Sequence, residues 1–410
     1  MTPVVAVTAV DPAAFLAVVA TAALAGTVSV LLTGRGLMVP TVVVELVFGV
    51  VIGPQVLGVE TSEVIEFFAS LGLGMLFFFA GYEIDLGRIA GVPLRLAALG
   101  WALSLVLAYT LGGLLAAAGI VLSLVYTGSA LATTAIGTLI PILSDTGELR
   151  TRFGTYLLAA GAVGEFVPIL LLTLILSTQK PLHSAVILLA FVAVAVGVAV
   201  LAVRSSQHTV ALFQRTLHKS SQLAVRWIVV LVFALAFLAS ELGLDLLLGG
   251  FAAGMITRQV LLERELEGFD SKLTAVAFGV FVPFFFVFSG MQLDIDALFA
   301  SVAGLVKLVV FFLLFLVVRG VPALVLYRGV LDQRERVALA LFTSTQLPLV
   351  LAITTVATQT GHMRASTAAS LVGAAVLSTL VYPMAGLRMR RRAAPSPAPD
   401  VEPAPAGAVS

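Results

Sequence analysis

A long series of apolar segments constrains this chain more than any other feature of its sequence. Hydrophobic residues make up 60% of the chain and charged residues 11%, and the mean hydropathy is +1.12, which lies outside the range of soluble domains. Because backbone groups in lipid must be satisfied internally, the sequence predicts an all-α polytopic membrane protein with about 13 transmembrane helices. The predicted helices 1 to 13 lie approximately at 13–33, 39–58, 64–82, 92–118, 124–143, 153–177, 182–203, 223–240, 243–257, 273–292, 300–327, 336–358 and 366–387.

The positions of lysine and arginine predict the orientation of these helices. With the N-terminus outside and the C-terminus in the cytoplasm, nearly all basic residues fall on inner loops, and only Lys180 and Arg364 fall outside. Lys307 and Arg319 fall within helix 11. This is the asymmetry of the positive-inside rule, so we expect a multi-pass protein of the inner or plasma membrane.

The last twenty residues differ from the rest of the chain. A basic cluster at 388–392 is followed by a stretch rich in proline and alanine, which predicts a disordered cytoplasmic tail at 391–410 after a transmembrane domain at 1–390. The net charge of +1 indicates no nucleic-acid partner. We also expect no nucleotide-binding regulatory domain and no cofactor, because no segment of this chain is suited to hold one.

Two halves of the chain echo each other. The phenylalanine-rich stretches at 77–85 and 284–294 each continue through glycine to aspartate, and helices 5 and 12 both carry hydroxyl residues before a proline. An offset of seven helices pairs helices 1–6 with 8–13, and because seven is odd the second half is inverted. Inverted repeats with discontinuous crossing helices are typical of secondary transporters, whose site lies near the bilayer midplane. Alternatively, the polar residues only ease packing or kinking.

Glu165 is the only charged residue of the apolar stretch 153–179 and lies near its middle. At about 1.5 Å per helical residue, this position is close to the bilayer midplane. An ionised group there is unfavourable by a few kcal/mol unless it is protonated, paired or exposed to water. A carboxylate retained at such a position is typical of proton or cation carriers, although a permanently protonated structural glutamate is the alternative.

Four stretches in order resemble the cation:proton antiporters of the Kef/NapA type. They are 39–54 in helix 2, 73–85 in helix 3, 131–135 in helix 5, and 143–147 with Phe153-Gly154. The resemblance implies the NhaA-like fold with discontinuous helices 5 and 12. It also implies a core of helices 4–6 and 11–13, a dimerisation panel of helices 1–3 and 8–10, a homodimer, and exchange of Na⁺, Li⁺ or K⁺ for protons.

The chain departs from this family where the ion would bind. Members usually carry Asp-Asp or Asn-Asp in helix 6, and the chain has Gly164-Glu165. Arg319, in the run Leu-Val-Val-Arg, resembles the arginine motif of the electroneutral NhaP-like branch. We therefore expect Glu165 to bind the cation and the proton in turn.

The remaining candidates support that carboxylate. Because an arginine cannot usefully deprotonate, Arg319 is read as a fixed counter-charge paired with Glu165 or Glu45. For Glu45 an interhelical hydrogen bond is favoured over ion binding. Hydroxyl and amide groups at the breaks of helices 5 and 12 could complete the coordination of the ion; they are Thr133, Thr134, Ser344, Thr345 and Gln346.

A single titrating carboxylate predicts one cation exchanged for one proton without net charge movement, by alternating access. Two other functions remain open, a sodium-coupled solute symporter on the same fold and a transport-inactive membrane sensor. An enzyme is least expected, because the sequence offers no buried catalytic set of serine, histidine and aspartate.

Overall fold

The structure, a computed structural model, describes residues 11–35, 39–84, 86–176, 181–204, 221–242, 244, 246–261, 269–299 and 301–391. These residues form helices joined by short connections, and no strand occurs among them. The predicted tail beyond Arg391 lies outside the described residues, as do Asp85 and Lys180.

Helical stretches overlie all thirteen predicted segments. Within the described chain, nine helical spans are long and apolar enough to cross a membrane, and three shorter apolar stretches lie at 41–52, 124–140 and 186–201. The total of thirteen membrane crossings stays a prediction. In chain order the helices are α1 Pro12–Gly34, α2 Thr41–Ile52, α3 Glu63–Tyr82, α4 Leu86–Ile89, α5 Val92–Ala117, α6 Leu124–Leu131, α7 Ile136–Asp145, α8 Arg152–Leu176, α9 Pro181–Arg204, α10 Leu223–Glu241, α11 Leu246–Leu261, α12 Phe269–Met291, α13 Ile295–Phe299, α14 Val302–Gly329, α15 Gln333–Thr343, α16 Pro348–Gln359 and α17 Ala365–Arg391.

Predicted helices 5 and 12 are each broken in the middle, as expected. The first consists of α6 and α7 with residues 132–135 unwound between them, and the second of α15 and α16 with residues 344–347 unwound. In the second, Pro348 at the first position of α16 has no N–H to donate to the preceding turn, so helix α15 cannot continue through it. These two breaks supply the unsatisfied backbone groups from which a site can be built.

Side-chain caps fix the N-terminal ends of α6 and α15, the half-helices that precede the two breaks. Asp332 and Glu335 form a reciprocal capping box at the start of α15, in which the Glu335 N–H donates to the Asp332 carboxylate at 2.7 Å. Ser123 caps α6 by accepting from the N–H of Tyr126. Such caps satisfy first-turn donors, so both broken helices have defined starting points.

The helices pack in two groups. In the first, α2 packs along α12, and α3 packs along both α11 and α12. A Cβ at Gly49 of α2 would lie 2.1 Å from the Val287 carbonyl oxygen of α12, so this contact requires glycine. In the second group, α5 packs on α6 and α8, and α17 packs on α14, α15 and α16. Phe166 of α8 stacks on Phe251 of α11 with ring centroids 4.6 Å apart and joins the two groups.

Candidate functional site

The two unwound breaks cross and hydrogen-bond to each other. The Ala135 N–H donates to the Thr345 carbonyl at 2.8 Å. The Gln346 side chain donates to the Thr133 carbonyl and accepts from the Thr133 hydroxyl. Groups that lost their helical partners at one break therefore find partners at the other, which makes unwound backbone tolerable in the interior.

Thr134 connects the crossing to α8 and α14. Its N–H donates to the Gly164 carbonyl at 2.9 Å, and its hydroxyl donates to the Thr343 carbonyl at 2.6 Å. The same hydroxyl accepts from Nε of Arg319 at 2.8 Å. One short side chain thus fixes the relative positions of three helical segments.

Glu165 is a residue of α8, and its carboxylate lies at the start of α7, the half-helix that follows the first break. Its side chain is 1% exposed, and its Oε2 accepts from the N–H of Gly137 at 3.3 Å. The backbone N–H of Ile136, the first residue of α7, also interacts with the carboxylate. First-turn N–H groups have no helical acceptor and carry the positive end of the helix dipole. The carboxylate is therefore held by backbone donors that favour an anion.

Arg319 lies on a π-helical turn, Leu316–Gly320, within α14 and is 4% exposed. Besides Thr134, its guanidinium donates to Oγ of Ser104 and to the carbonyl of Ala160, both at 3.2 Å. All three acceptors are neutral. The ion pair expected between Arg319 and either Glu165 or Glu45 is not found, although all three residues are described.

Gly164 is the position at which the guanidinium meets α8. A Cβ built on Gly164 would lie 2.3 Å from Nη2 of Arg319 and 2.9 Å from Oγ1 of Thr134. The arginine thus fills the space that a side chain at this position would need. This contact gives a physical reason for glycine where the resemblance to the Kef/NapA type predicts an acidic or amide residue.

The second break is satisfied by neutral groups. The Gln346 N–H donates to Oγ of Ser378 at 3.0 Å, and its carbonyl accepts from the Thr379 hydroxyl at 3.0 Å. The Ser344 hydroxyl donates to the Ala340 carbonyl at 2.6 Å. Oγ1 of Thr345 is buried and has no hydrogen-bond partner among the described residues. It is therefore the one hydroxyl of the predicted set that is free to bind a ligand.

Sequence reasoning missed three residues of this assembly, namely Ser104, Ser378 and Thr379. All three are hydroxyl residues buried in apolar helices, Ser104 on α5 and the others on α17. The only signal in the sequence is a hydroxyl within a membrane helix, and this most often bonds to its own backbone. Ser104 does so as well, donating to the Gly100 carbonyl at 2.9 Å.

Glu45 lies apart from this crossing, in the wall of a cavity of about 960 Å³ bounded by α1, α2, α3, α7, α12 and α17. The residue is 4% exposed. The interhelical hydrogen bond expected for Glu45 is not seen, since no hydrogen bond or ion pair joins its carboxyl to another described residue. Thr138 of α7 lines the same cavity one residue beyond Gly137.

Other charged groups also line this cavity. Arg390 forms ion pairs with Glu148 at 3.0 Å and with Glu335 at 2.8 Å. Glu83, in the turn after α3, also lines the cavity. Burial raises the pKa of Glu83, while Arg258 and Arg88 nearby act in the opposite direction.

These features together define a class of protein. Broken helices that cross at unwound segments, with a lone buried carboxylate at a half-helix start, are the architecture of a secondary transporter. The transmembrane sodium/hydrogen exchanger family matches residues 19–386. The chain belongs to this family, which is one of transporters rather than enzymes.

Individual relatives are distant but consistent with this assignment. The chain is 28% identical to the Na⁺/H⁺-K⁺ antiporter GerN of Bacillus cereus, over 63% of this chain and 67% of the relative. It is 26% identical to the probable Na⁺/H⁺ antiporter 3 of Methanocaldococcus jannaschii, over 64% of this chain and 67% of the relative. A putative Na⁺/H⁺ antiporter of Bacillus subtilis, YjbQ, is 25% identical over 87% of this chain, which spans 60% of that relative's length.

A solved structure confirms the predicted fold class. The sodium proton antiporter MjNhaP1 from Methanocaldococcus jannaschii, at pH 8, superposes with a TM-score of 0.65. The match covers 92% of this chain and 98% of the other, at 16% sequence identity. The helical fold is therefore shared although most side chains differ.

Proposed function

We propose that the protein exchanges a monovalent cation for H⁺ by alternating access, with Glu165 as the single carrier of both. The observation that carries this proposal is the position of the buried Glu165 carboxylate at the start of α7, where, among the described residues, only backbone N–H groups and no cationic side chain hold it. An ionised carboxylate can bind a hard cation, and a protonated one cannot. Competition between the two ligands for one group couples their movements.

The names of the relatives suggest which cation is carried. GerN is named for Na⁺, H⁺ and K⁺, and the other two relatives for Na⁺ and H⁺. We therefore propose Na⁺ as the first candidate, with K⁺ and Li⁺ as alternatives. Thr133, Thr134, Ser344, Thr345 and Gln346 are proposed to support the ion from the crossing, and Thr345 is the best placed of these because its hydroxyl is unpartnered.

We propose an electroneutral exchange of one cation for one proton. Gly164 offers no second carboxylate, and Arg319 stays charged because its guanidinium loses no proton in the working range. The hydrogen bonds of Arg319 to three neutral oxygens support a fixed charge that assembles the crossing rather than a proton carrier.

The two packing groups support a division into domains. We propose that α5 to α8 and α14 to α17, which carry both breaks and Glu165, form the mobile core. Helices α1 to α3 and α10 to α12 would form the panel through which a homodimer assembles. The plasma membrane, with the N-terminus outside and the C-terminus in the cytoplasm, follows from the charge asymmetry of the loops.

The test is cation-induced proton movement in proteoliposomes with Na⁺, Li⁺ and K⁺. We expect wild type to exchange cations for protons without generating a voltage. Glu165→Gln should lose exchange. Glu165→Asp should retain it, because aspartate keeps the carboxylate. Exchange by folded Glu165→Gln at the wild-type rate would overturn Glu165 as carrier. A membrane potential generated by wild type would overturn the electroneutral stoichiometry.

A further inference from the structure

We propose that Glu45 is a second cation-binding carboxylate, which takes up the transported cation from the cavity before it reaches Glu165. The proposal rests on the function proposed above and adds a loading site to it. The two experiments below can contradict the role of Glu45 while the proposed role of Glu165 still holds.

The first support is the state of the Glu45 side chain. It is 4% exposed and lines the cavity, yet it has no hydrogen bond or ion pair with any described residue. The Glu45 carboxylate oxygens are not among the fully buried unpartnered atoms of the described residues, so they are accessible from the cavity, whereas structural carboxylates are normally paired or hydrogen-bonded. A group kept in this state beside an open cavity is suited to a ligand that enters through the cavity.

The second support is the charge of the cavity wall. Three carboxylates line it, those of Glu45, Glu83 and Glu148, against one guanidinium, that of Arg390. Arg390 is already paired with Glu148 and with Glu335. The described side chains that line the cavity from α1 and α12 carry no charge. A concave surface with excess negative charge concentrates cations, and Glu45 is its one carboxylate on α2.

The third support is the position of the cavity relative to Glu165. Thr138 lines the cavity and donates to the Ala135 carbonyl at 2.9 Å, within the first turn of α7. The N–H of the neighbouring Gly137 donates to Glu165. The same turn of helix therefore contacts both the central carboxylate and the cavity that Glu45 lines.

Cation binding at Glu45 can be tested without transport. Glu165→Gln protein in liposomes is treated with dicyclohexylcarbodiimide, which modifies buried protonated carboxyls, and peptide masses report modification of Glu45. We expect modification that Na⁺ or K⁺ suppresses and that choline does not. Failure to modify Glu45, or modification that no cation suppresses, would overturn the proposal, whatever happens to exchange at Glu165.

Transport supplies the second arm. In the wild-type background, Glu45→Gln is expected to raise the half-saturating cation concentration roughly tenfold, as the loss of one ionic ligand implies. The maximal rate should change little. The matched control is Glu66→Gln, which removes an exposed carboxylate of α3 outside the cavity and should leave half-saturation unchanged. An unchanged value in Glu45→Gln would contradict the proposal. If that variant does not fold, Glu45→Asp keeps the charge and should bind nearly as wild type.

Discussion

The two breaks of the crossing are similar in geometry and different in chemistry. Both half-helices, α7 and α16, begin within the crossing and direct the positive ends of their dipoles there. The first begins with Ile136, which retains its N–H, and meets the carboxylate of Glu165. The second begins with Pro348, which has no N–H, and no side chain caps it. Among the described residues no carboxylate is hydrogen-bonded to its start.

This difference shows how an inverted repeat can specialise. The fold supplies two equivalent half-helix starts, and the side chains decide which of them holds a charge. In the first half the break is electrostatic, because the Glu165 carboxylate lies at it and accepts from a first-turn N–H of α7. In the second half the break is neutral, because hydroxyl groups of α17 satisfy the Gln346 backbone.

Among substitutions that leave Glu165 in place, the largest effect is expected from Gly164→Ala. The added Cβ would lie 2.3 Å from Nη2 of Arg319, whose guanidinium is fixed by three hydrogen bonds and cannot shift without breaking some of them. Overpacking of this kind costs about 1–3 kcal/mol, here in the bonds that position Thr134 beside the first break. We expect exchange in proteoliposomes to fall by about tenfold or more, the change that 1.4 kcal/mol implies.

Gly113→Ala is the matched control for this substitution. Gly113 is a helical glycine of α5 with nothing within 4 Å of its added Cβ, so exchange should be unchanged. If Gly164→Ala exchanged at the wild-type rate, the Arg319 guanidinium would be free to move. The contrast between a rigid charged break and a neutral break would then lose one of its two supports.

A smaller and more specific effect is expected from Ile136→Pro. Proline is accepted at the first position of a helix, but it removes an N–H that stabilises the ionised Glu165. A full hydrogen bond to a charged group contributes about 1.5–3 kcal/mol, and the Ile136 contact should contribute at the lower end, since Gly137 makes the well-formed bond. Its loss favours the protonated carboxyl, so the pH of half-maximal exchange should move about one unit toward alkaline pH. The pH profile of exchange measures this shift.

Two variants separate the lost donor from the lost side chain. Ile136→Ala removes the packing of the side chain and keeps the N–H, so it should lower thermal stability without moving the pH profile. Pro348→Ala supplies an N–H at the start of α16, where no carboxylate of the described residues is hydrogen-bonded. This variant should leave the pH profile of exchange unchanged. A shift in Ile136→Ala as large as that in Ile136→Pro would mean that packing, not the backbone donor, sets the profile.

Particular residues show why the sequence predicted some parts of this site and not others. Glu165 was recognisable because one carboxylate in an apolar helix stands out against every neighbour. The crossing was recognisable because hydroxyl residues before a proline recur in both halves. The hydrogen-bond partners of Arg319 were not recognisable from the sequence, since a long side chain on a membrane helix can reach several neighbours. The crossing geometry, in particular the close approach to Gly164, selects Thr134, Ser104 and the Ala160 carbonyl.

The smallest effect on exchange is expected from Ser378→Ala. This substitution removes the acceptor of the buried Gln346 N–H, which costs about 1–3 kcal/mol when the group is left unsatisfied. Thr379→Val should cost less, because the Ser378 hydroxyl, 2.7 Å from the Ala375 carbonyl and 3.3 Å from the Gln346 carbonyl, can turn its proton to the latter. Both variants should unfold at a lower temperature than wild type in detergent, and Ser378→Ala should be the less stable of the two. Their half-saturating cation concentration and the pH profile of their exchange should match those of wild type. The pH profile of Ser378→Ala could instead shift as much as that of Ile136→Pro. Such a shift would show that the backbone of the second break also tunes ion binding. The division between an electrostatic and a neutral break would then not hold.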